Sequence, residues 1–350
     1  MNSSKILTWT ITFILISVLI TDTLPVKAGH QLSPESWIAM RKMYRAKTPP
    51  TTIEQEVAAL TGNDARRAGP KLIDRGREAL PAIHEALTEP GLPPIEGLRL
   101  LQVIGPIGDK SSVPILLKIL RSNPSSPLRR DMLLTLAKLP ATEDAARFII
   151  NLVADEKEPW RTRRMAFTWF GLHRDERGRP FAEAVIRDPE PERQAAGIYV
   201  LASLGDRSVL DSINKIFAEG APANLRDTLM ISIAELTGPD EFKQLAPSSL
   251  DWSPGYKNAL IYSRYRGAKA QEKREICQEM LRSSFPGHLT LAVRCLLESG
   301  NAEALRPHAA FSFESPGRDA LIRNEIRKAG WQIIDTEYKF LILPPSSTNK

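Results

Sequence analysis

A proline recurs about every thirty-two residues along most of this chain. Pro94, Pro127, Pro159, Pro191, Pro222, Pro254, Pro286 and Pro316 follow one another at separations of 33, 32, 32, 31, 32, 32 and 30 residues. Proline is favoured at the first helical position, where its missing N–H would be unpaired anyway, and disfavoured inside helices. The spacing therefore predicts eight helices that start in register. A fixed period of this length marks a solenoid, because each unit can bury its apolar face only against its neighbours.

A second in-register series supports the same architecture. Leu100, Ile104 and Ile107 stand at i, i+4 and i+7, as do Met132, Leu136 and Leu139, Met165, Trp169 and Leu172, and Leu229, Ile233 and Leu236. This is one face of an α-helix, repeated. Gly108-Asp109 and Gly205-Asp206 read as the turn that follows, with glycine as a left-handed cap, and Gly76, Gly267 and Gly300 occupy comparable points. A shorter second helix comes next, with Val113, Leu116 and Leu120 matching Leu210, Ile213 and Phe217.

Segments such as 104–120 (IGPIGDKSSVPILLKIL) and 201–209 (LASLGDRSV) resemble HEAT repeats of the short, phycobilisome-lyase-like kind. The similarity runs from about Asn63 to about Ala329 and weakens after Pro254. It implies an all-α fold, a right-handed α-α superhelix whose second helices line a concave surface that serves as a platform for proteins or peptides. Such a fold specifies no particular ligand. Arg129, Arg161, Arg193 and Arg318 each follow a repeat proline by two residues, with Arg226 near the same point. With Asp109 and Asp206 in the turns they resemble the inter-repeat Asp–Arg ladder of HEAT proteins. A row of guanidinium groups could also hold a phosphate or an acidic peptide.

The ends depart from the period. Lys5, the apolar run from Ile6 to Ile20 and the sequence Val26-Lys27-Ala28 read as a signal peptide over residues 1–28, the alternative being an uncleaved anchor. The expectation is an exported protein, periplasmic or secreted, with no membrane span once the signal is removed. Residues 29–62 read as N-terminal capping helices, with Ser33-Pro34-Glu35 opening one to about Ala46 and Thr51 to Glu54 offering a capping box for another. Residues 63–330 form the solenoid of about eight repeats. Residues 331–350 are an extended C-terminal segment and tail, able to cover the last repeat or to offer a strand to a partner.

Little in the sequence points to catalysis. His30, His84, His173, His288 and His308 are scattered, and no Gly-x-Ser-x-Gly elbow, phosphate loop or His-Glu-x-x-His helix is present. No metal site or cofactor is expected, and the positive excess of the whole chain, +6, is too modest and scattered for nucleic acid. Charges on the second helices are mixed: Lys118, Arg121, Arg147, Lys215, Lys243 and Arg274 against Glu143, Asp144, Asp211, Glu272 and Glu275. Cys277 and Cys295 flank Pro286 at nine residues on either side, so a helix hairpin turning there could bridge them as a disulfide or leave two buried thiols.

The most irregular repeat runs from Pro159 to Pro191. There Trp160, Arg161, Arg164, Arg174, Arg177 and Arg179 interleave basic and aromatic side chains, the composition of an interaction hot spot, though they could equally be core and solvated surface. The expected function is a non-enzymatic scaffold or adaptor that binds a protein or peptide partner on the solenoid surface. The alternatives are a lyase-like or hydrolytic enzyme on the same platform, with His84 or His173 beside carboxylates, and an adaptor for an anionic surface polymer.

Overall fold

The computed structural model describes residues 51–62, 64–122, 127–251, 253–281, 286–305, 308, 316–335 and 340–345. The signal peptide expected over residues 1–28, the helix expected from Ser33 to Ala46 and the last residues of the tail lie outside this set. The chain divides into two compact units, one of Met1–Pro49 with Glu337–Lys339 and one of Pro50–Thr336 with Phe340–Lys350.

The second unit is all-α and solenoid-like, built from helix pairs. Its first helices are α2 (Ala65–Arg75), α4 (Pro94–Ile107), α6 (Arg129–Lys138), α8 (Trp160–His173), α10 (Pro191–Ser203), α12 (Ala223–Leu236), α14 (Pro254–Gly267), α16 (Pro286–Glu298) and α17 (Pro316–Lys328). Its second helices are α3 (Leu80–Leu87), α5 (Ser112–Ser122), α7 (Glu143–Ala154), α9 (Arg179–Val185), α11 (Val209–Ala218), α13 (Pro239–Leu245) and α15 (Ala270–Met280). A leading helix, α1 (Ile53–Thr61), packs on α2. Its capping box joins Thr52 to Gln55, with bonds of 3.2 and 3.0 Å, one residue later than the expected Thr51 and Glu54.

The prolines do begin helices, but not always at the same position. Pro94, Pro191 and Pro254 are the first helical residues, whereas Pro159 and Pro222 stand one place earlier as N-caps. A one-residue shift rotates every following side chain by about 100° around the helix. In α8 the expected Met165 and Trp169 are buried together with Ala166, Phe167 and Phe170, whereas Leu172, also expected in the core, is 52% exposed.

Once that shift is applied, the buried positions superpose from repeat to repeat. Leu100, Leu101, Val103, Ile104 and Ile107 of α4 correspond to Met132, Leu133, Thr135, Leu136 and Leu139 at α6, all buried. Each fully buried leucine or isoleucine contributes about 1.5–3 kcal/mol, so the continuous core these rows form along the unit is the main source of its stability. Small residues let the rows approach. Gly171 of α8 lies against the Tyr199 ring of α10, in the space a β-carbon would fill.

First and second helices play unequal parts. From α2 to α14 each first helix packs against the next along its length, while α3, α5 and α7 touch one another only lightly. The row that abuts must lie on the inner side of the bend and the row that spreads on the outer side. This reverses the expectation that second helices line the concave surface.

The first-helix row also returns to its own start. His288 of α16 meets the Asn258 carbonyl of α14 at 3.1 Å, α16 packs on α17, and α17 packs on α2 and α4. Asp74 of α2 accepts bonds from Arg323 at 2.7 Å and Arg327 at 2.9 Å. The Pro106 carbonyl of α4 accepts from Asn324 and Lys328, both at 2.8 Å. The repeats therefore form a closed circuit of contacts in place of the open, elongated row implied by the sequence.

Turns and ends complete the unit. Gly108 and Gly205 take left-handed φ of 63° and 85°, as do Gly76 and Gly300, whereas Gly267 simply ends α14. After the final helix, β1 (Gln332–Asp335) and β2 (Phe340–Leu343) pair antiparallel, with Ile333 opposite Ile342, and β1 packs on α17. The extended segment is thus a hairpin laid against the closing helix. Cys277 of α15 and Cys295 of α16 are joined as a disulfide, their α-carbons 6.6 Å apart.

Candidate protein-binding face

The arginines near the helix starts divide into two kinds once the register is known. Arg129, Arg163 and Arg226 occupy equivalent positions and donate to backbone carbonyls at or just beyond the end of the preceding second helix, those of Leu120, Val153 and Ala221, at 3.1, 3.0 and 3.0 Å. Gln194 holds the same place in α10 and donates to the Asp188 carbonyl at 2.7 Å. These clips satisfy helix ends that would otherwise lack donors. Sequence spacing alone put Arg161 and Arg193 in this row in place of Arg163 and Gln194, because it took each proline as the same helical position.

The aspartates act first on their own turns. Asp109, Asp155, Asp175, Asp188 and Asp206 each accept from the backbone N–H two residues on, at 2.8 to 3.1 Å. Those bonds help hold the Asp109, Asp175, Asp188 and Asp206 carboxyls below their ordinary range. For Asp109 they prevail over the larger opposing effect of burial, and for Asp175 and Asp206 the leading cause is a side-chain bond, to Arg177 and Ser208 respectively. Arginines from neighbouring turns then join them: Arg77 approaches Asp109 at 3.5 Å and Arg179 bonds Asp206 at 3.1 Å. The acidic half of the ladder is therefore where it was expected, and its basic partners are Arg77 and Arg179.

Of the six hot-spot residues, five are engaged inside the fold. Trp160 packs against Phe167 at 5.6 Å between ring centres, under the Arg193 guanidinium at 5.4 Å. Arg164 pairs with Glu192 of α10 at 2.5 Å. Arg174, in the left-handed region with φ of 50°, reaches Glu235 of α12 at 3.1 Å. Arg177 holds Asp175 at 2.6 Å and Glu143 at 3.1 Å, and Arg179 holds Glu176 and Asp206. Arg161 alone is exposed with no side-chain bond among the described residues.

What the first helices present on their open side is a regular stripe. It comprises Ile95, Gln102 and Pro106 on α4, Arg130, Leu134 and Lys138 on α6, Arg161, Arg164, Thr168 and Leu172 on α8, and Tyr199 on α10, followed by Ile231 and Glu235 on α12 and Tyr262 and Arg266 on α14. Ile95 and Leu172 are the exposed large hydrophobic residues of the described set, at 56% and 52%, and both lie on this stripe. Around Glu235 the stripe is tied together. Its carboxylate accepts from Tyr262 at 2.8 Å, from Arg174 and from Arg266. Burial, with Glu235 beside it, pushes the Tyr199 phenol up to about 12, and the same causes raise Tyr262. Both phenols stay protonated at physiological pH, and that of Tyr262 is the donor to Glu235.

The outer side differs. Between α5 and α7 lies a shallow open groove of about 430 Å³ lined by Pro114, Leu117, Lys118, Arg121 and Asp144. Two histidines link neighbouring helices. The half-buried His84 imidazole lies 2.8 Å from the hydroxyl of the fully buried Ser112 and ties α3 to α5, so a serine does have a base beside it. His173 stacks on Trp169 at 4.6 Å between ring centres and bonds the backbone of Ala137. Burial lowers the affinity of both for a proton, against the opposing pull of Asp109 and Asp175.

No family model, curated protein or solved structure matches this chain. Among the described residues no group of histidine, cysteine and carboxylate side chains is arranged to hold a metal ion, and no helix is long and apolar enough to cross a membrane.

Proposed function

We propose that this protein is a non-enzymatic scaffold of HEAT type that binds another protein or peptide, and that its leader directs it out of the cytoplasm. The observation carrying the reading is the stripe on the first helices, where Leu134, Leu172, Tyr199, Ile231 and Tyr262 alternate with charged residues on a surface built from successive repeats. Aromatic and aliphatic anchors rimmed by arginine are the usual composition of protein-binding surfaces. The ion pairs Arg164–Glu192 and Arg174–Glu235 hold that surface rigid, so little side-chain entropy is lost on binding.

The test is chemical crosslinking in the native envelope, with the photoreactive group placed at Leu172 and, as a control, at Lys118 on the outer groove. A specific protein joined through Leu172 and not through Lys118 supports the reading. Crosslinks only through Lys118, or none through either, contradict it.

A further inference from the structure

The basic side chains of α6 and α8 fall into two groups. Arg129, Arg163, Arg164 and the neighbouring Arg174, Arg177 and Arg179 are all committed to carbonyls or carboxylates on other elements. Arg130, Lys138 and Arg161 are exposed and, among the described residues, bond to no other element; Arg130 approaches its own neighbour Asp131, at 3.5 Å. Cations that hold nothing together contribute little to the fold, and their side chains remain free to order on a ligand.

Their placement is in register. Pro127, Arg130, Leu134 and Lys138 of the α6 repeat correspond to Arg161, Arg164, Thr168 and Leu172 of α8, on the open side of two packed helices. Among the described residues the acids bonded to α6 or α8 on this sector are Asp131, beside Arg130, Glu158 at the entry to α8, taken by Arg129, and Glu192 on the edge of α10, taken by Arg164. The adjoining stripe of α4, made of Ile95, Gln102 and Pro106, adds no acid and ends in an apolar residue. The field over α6 and α8 is therefore positive, and the apolar contacts offered within it are Leu134 and Leu172.

We infer that this sector docks an acidic peptide carrying an apolar side chain, with Arg130, Lys138 and Arg161 meeting its carboxylates and Leu172 its apolar group. The inference rests on the scaffold reading and names its ligand class. Charge complementarity selects the acid. Arg161 and Leu172 are eleven residues apart, about 16 Å along the helix axis at 1.5 Å per residue, which an extended peptide of about five residues spans. An anionic polymer would use the cations and leave Leu172 idle, so the leucine separates the two ligands.

The experiment uses the purified full chain without its leader and a fluorescent peptide of about twelve residues alternating Glu and Leu, read by anisotropy. A matched Lys and Leu peptide and a sulfated polysaccharide serve as comparisons. The expected result is binding of the Glu peptide that weakens with salt, falls roughly tenfold in the Arg130→Glu/Arg161→Glu variant, and falls comparably in Leu172→Asp. Lys215→Glu on the outer row should leave it unchanged, and all variants should keep the parent's circular dichroism. Equal binding by parent and charge-reversed variant overturns the inference, as does preference for the Lys peptide, or polysaccharide binding that Leu172→Asp does not touch. Selection from a random peptide library separates this from failure of the scaffold reading. Non-acidic binders retained by the charge-reversed variant sink the acidic-ligand inference alone, whereas an empty selection sinks both.

Discussion

Arg327 donates to the Asp74 carboxylate at 2.9 Å across 253 residues of chain. Arg323 reaches the same oxygen at 2.7 Å, and its side chain is only 12% exposed. This shared carboxylate joins the last helix of the repeat array to the first. In a one-dimensional array each repeat is stabilised by its neighbours alone, and terminal repeats fray. Closure gives α2 and α17 a neighbour each that an open array would deny them.

Replacing Asp74 with alanine should therefore destabilise the whole unit and not just one end. With the pair partly exposed, the expected loss is about 1–2 kcal/mol, and it should shrink in high salt. Urea denaturation at two ionic strengths measures both, and hydrogen exchange should show α2 and α17 loosening together.

Gly171→Ala places a methyl group where the Tyr199 ring now lies. Alanine is the better helix former by about 1 kcal/mol, so a gain is expected if space were irrelevant. The contact should win, giving a net loss of roughly 1–3 kcal/mol. Thermal unfolding of the single variant, and partial recovery in Gly171→Ala/Tyr199→Leu, checks it.

Cys277 and Cys295 close a loop of 18 residues between α15 and α16. Intact-mass measurement should find the oxidised chain lighter than the reduced one by two hydrogens. The Cys277→Ala/Cys295→Ala variant should lose about 3 kcal/mol, with the loss concentrated in the repeats that lead into α17.

Three histidines should weaken the fold as the pH falls below neutral. His84, His173 and His288 are each held neutral chiefly by burial, their folded pKa below the ordinary value of about 6.5. The unfolded chain therefore binds protons more readily than the folded one. Stability should be at its full value above roughly pH 7 and decline as pH falls through about 6.5 toward the lower folded values. Denaturation midpoints between pH 8 and 5 should show this slope, and His173→Gln should flatten part of it.

The helix pairs, their turns and the disulfide partners were legible because each rests on local chemistry: proline at a helix start, Gly108-Asp109 at a turn, cysteines equidistant from Pro286. The rotation of α8 was not legible, since proline fits both the N-cap and the first helical position and only packing decides between them. That one residue moved Leu172 from core to surface. Pro127 stands a further residue ahead of its helix than Pro159 does, and the carbonyl clip matching Arg129 falls on Arg163 and not on Arg161. Closure was equally hidden. Asp74 and Arg327 carry no sequence mark of their pairing, because contact across such a separation depends on the summed bend of every repeat between them. Which helix row faces inward follows from the same sum, so the stripe running through Leu172, Tyr199 and Glu235 emerged only from the packed fold.

Pulsed electron spin resonance between labels at Glu78 and Ala329 tests the closed circuit most directly. Both residues are exposed, and the native cysteines, being bridged, leave no competing thiol among the described residues. Packed terminal helices predict one narrow distance near 20–30 Å, the 8–10 Å spacing of neighbouring helices plus two label arms. A broad distribution centred beyond roughly 50 Å, as an open row of such helices would give, would contradict the account.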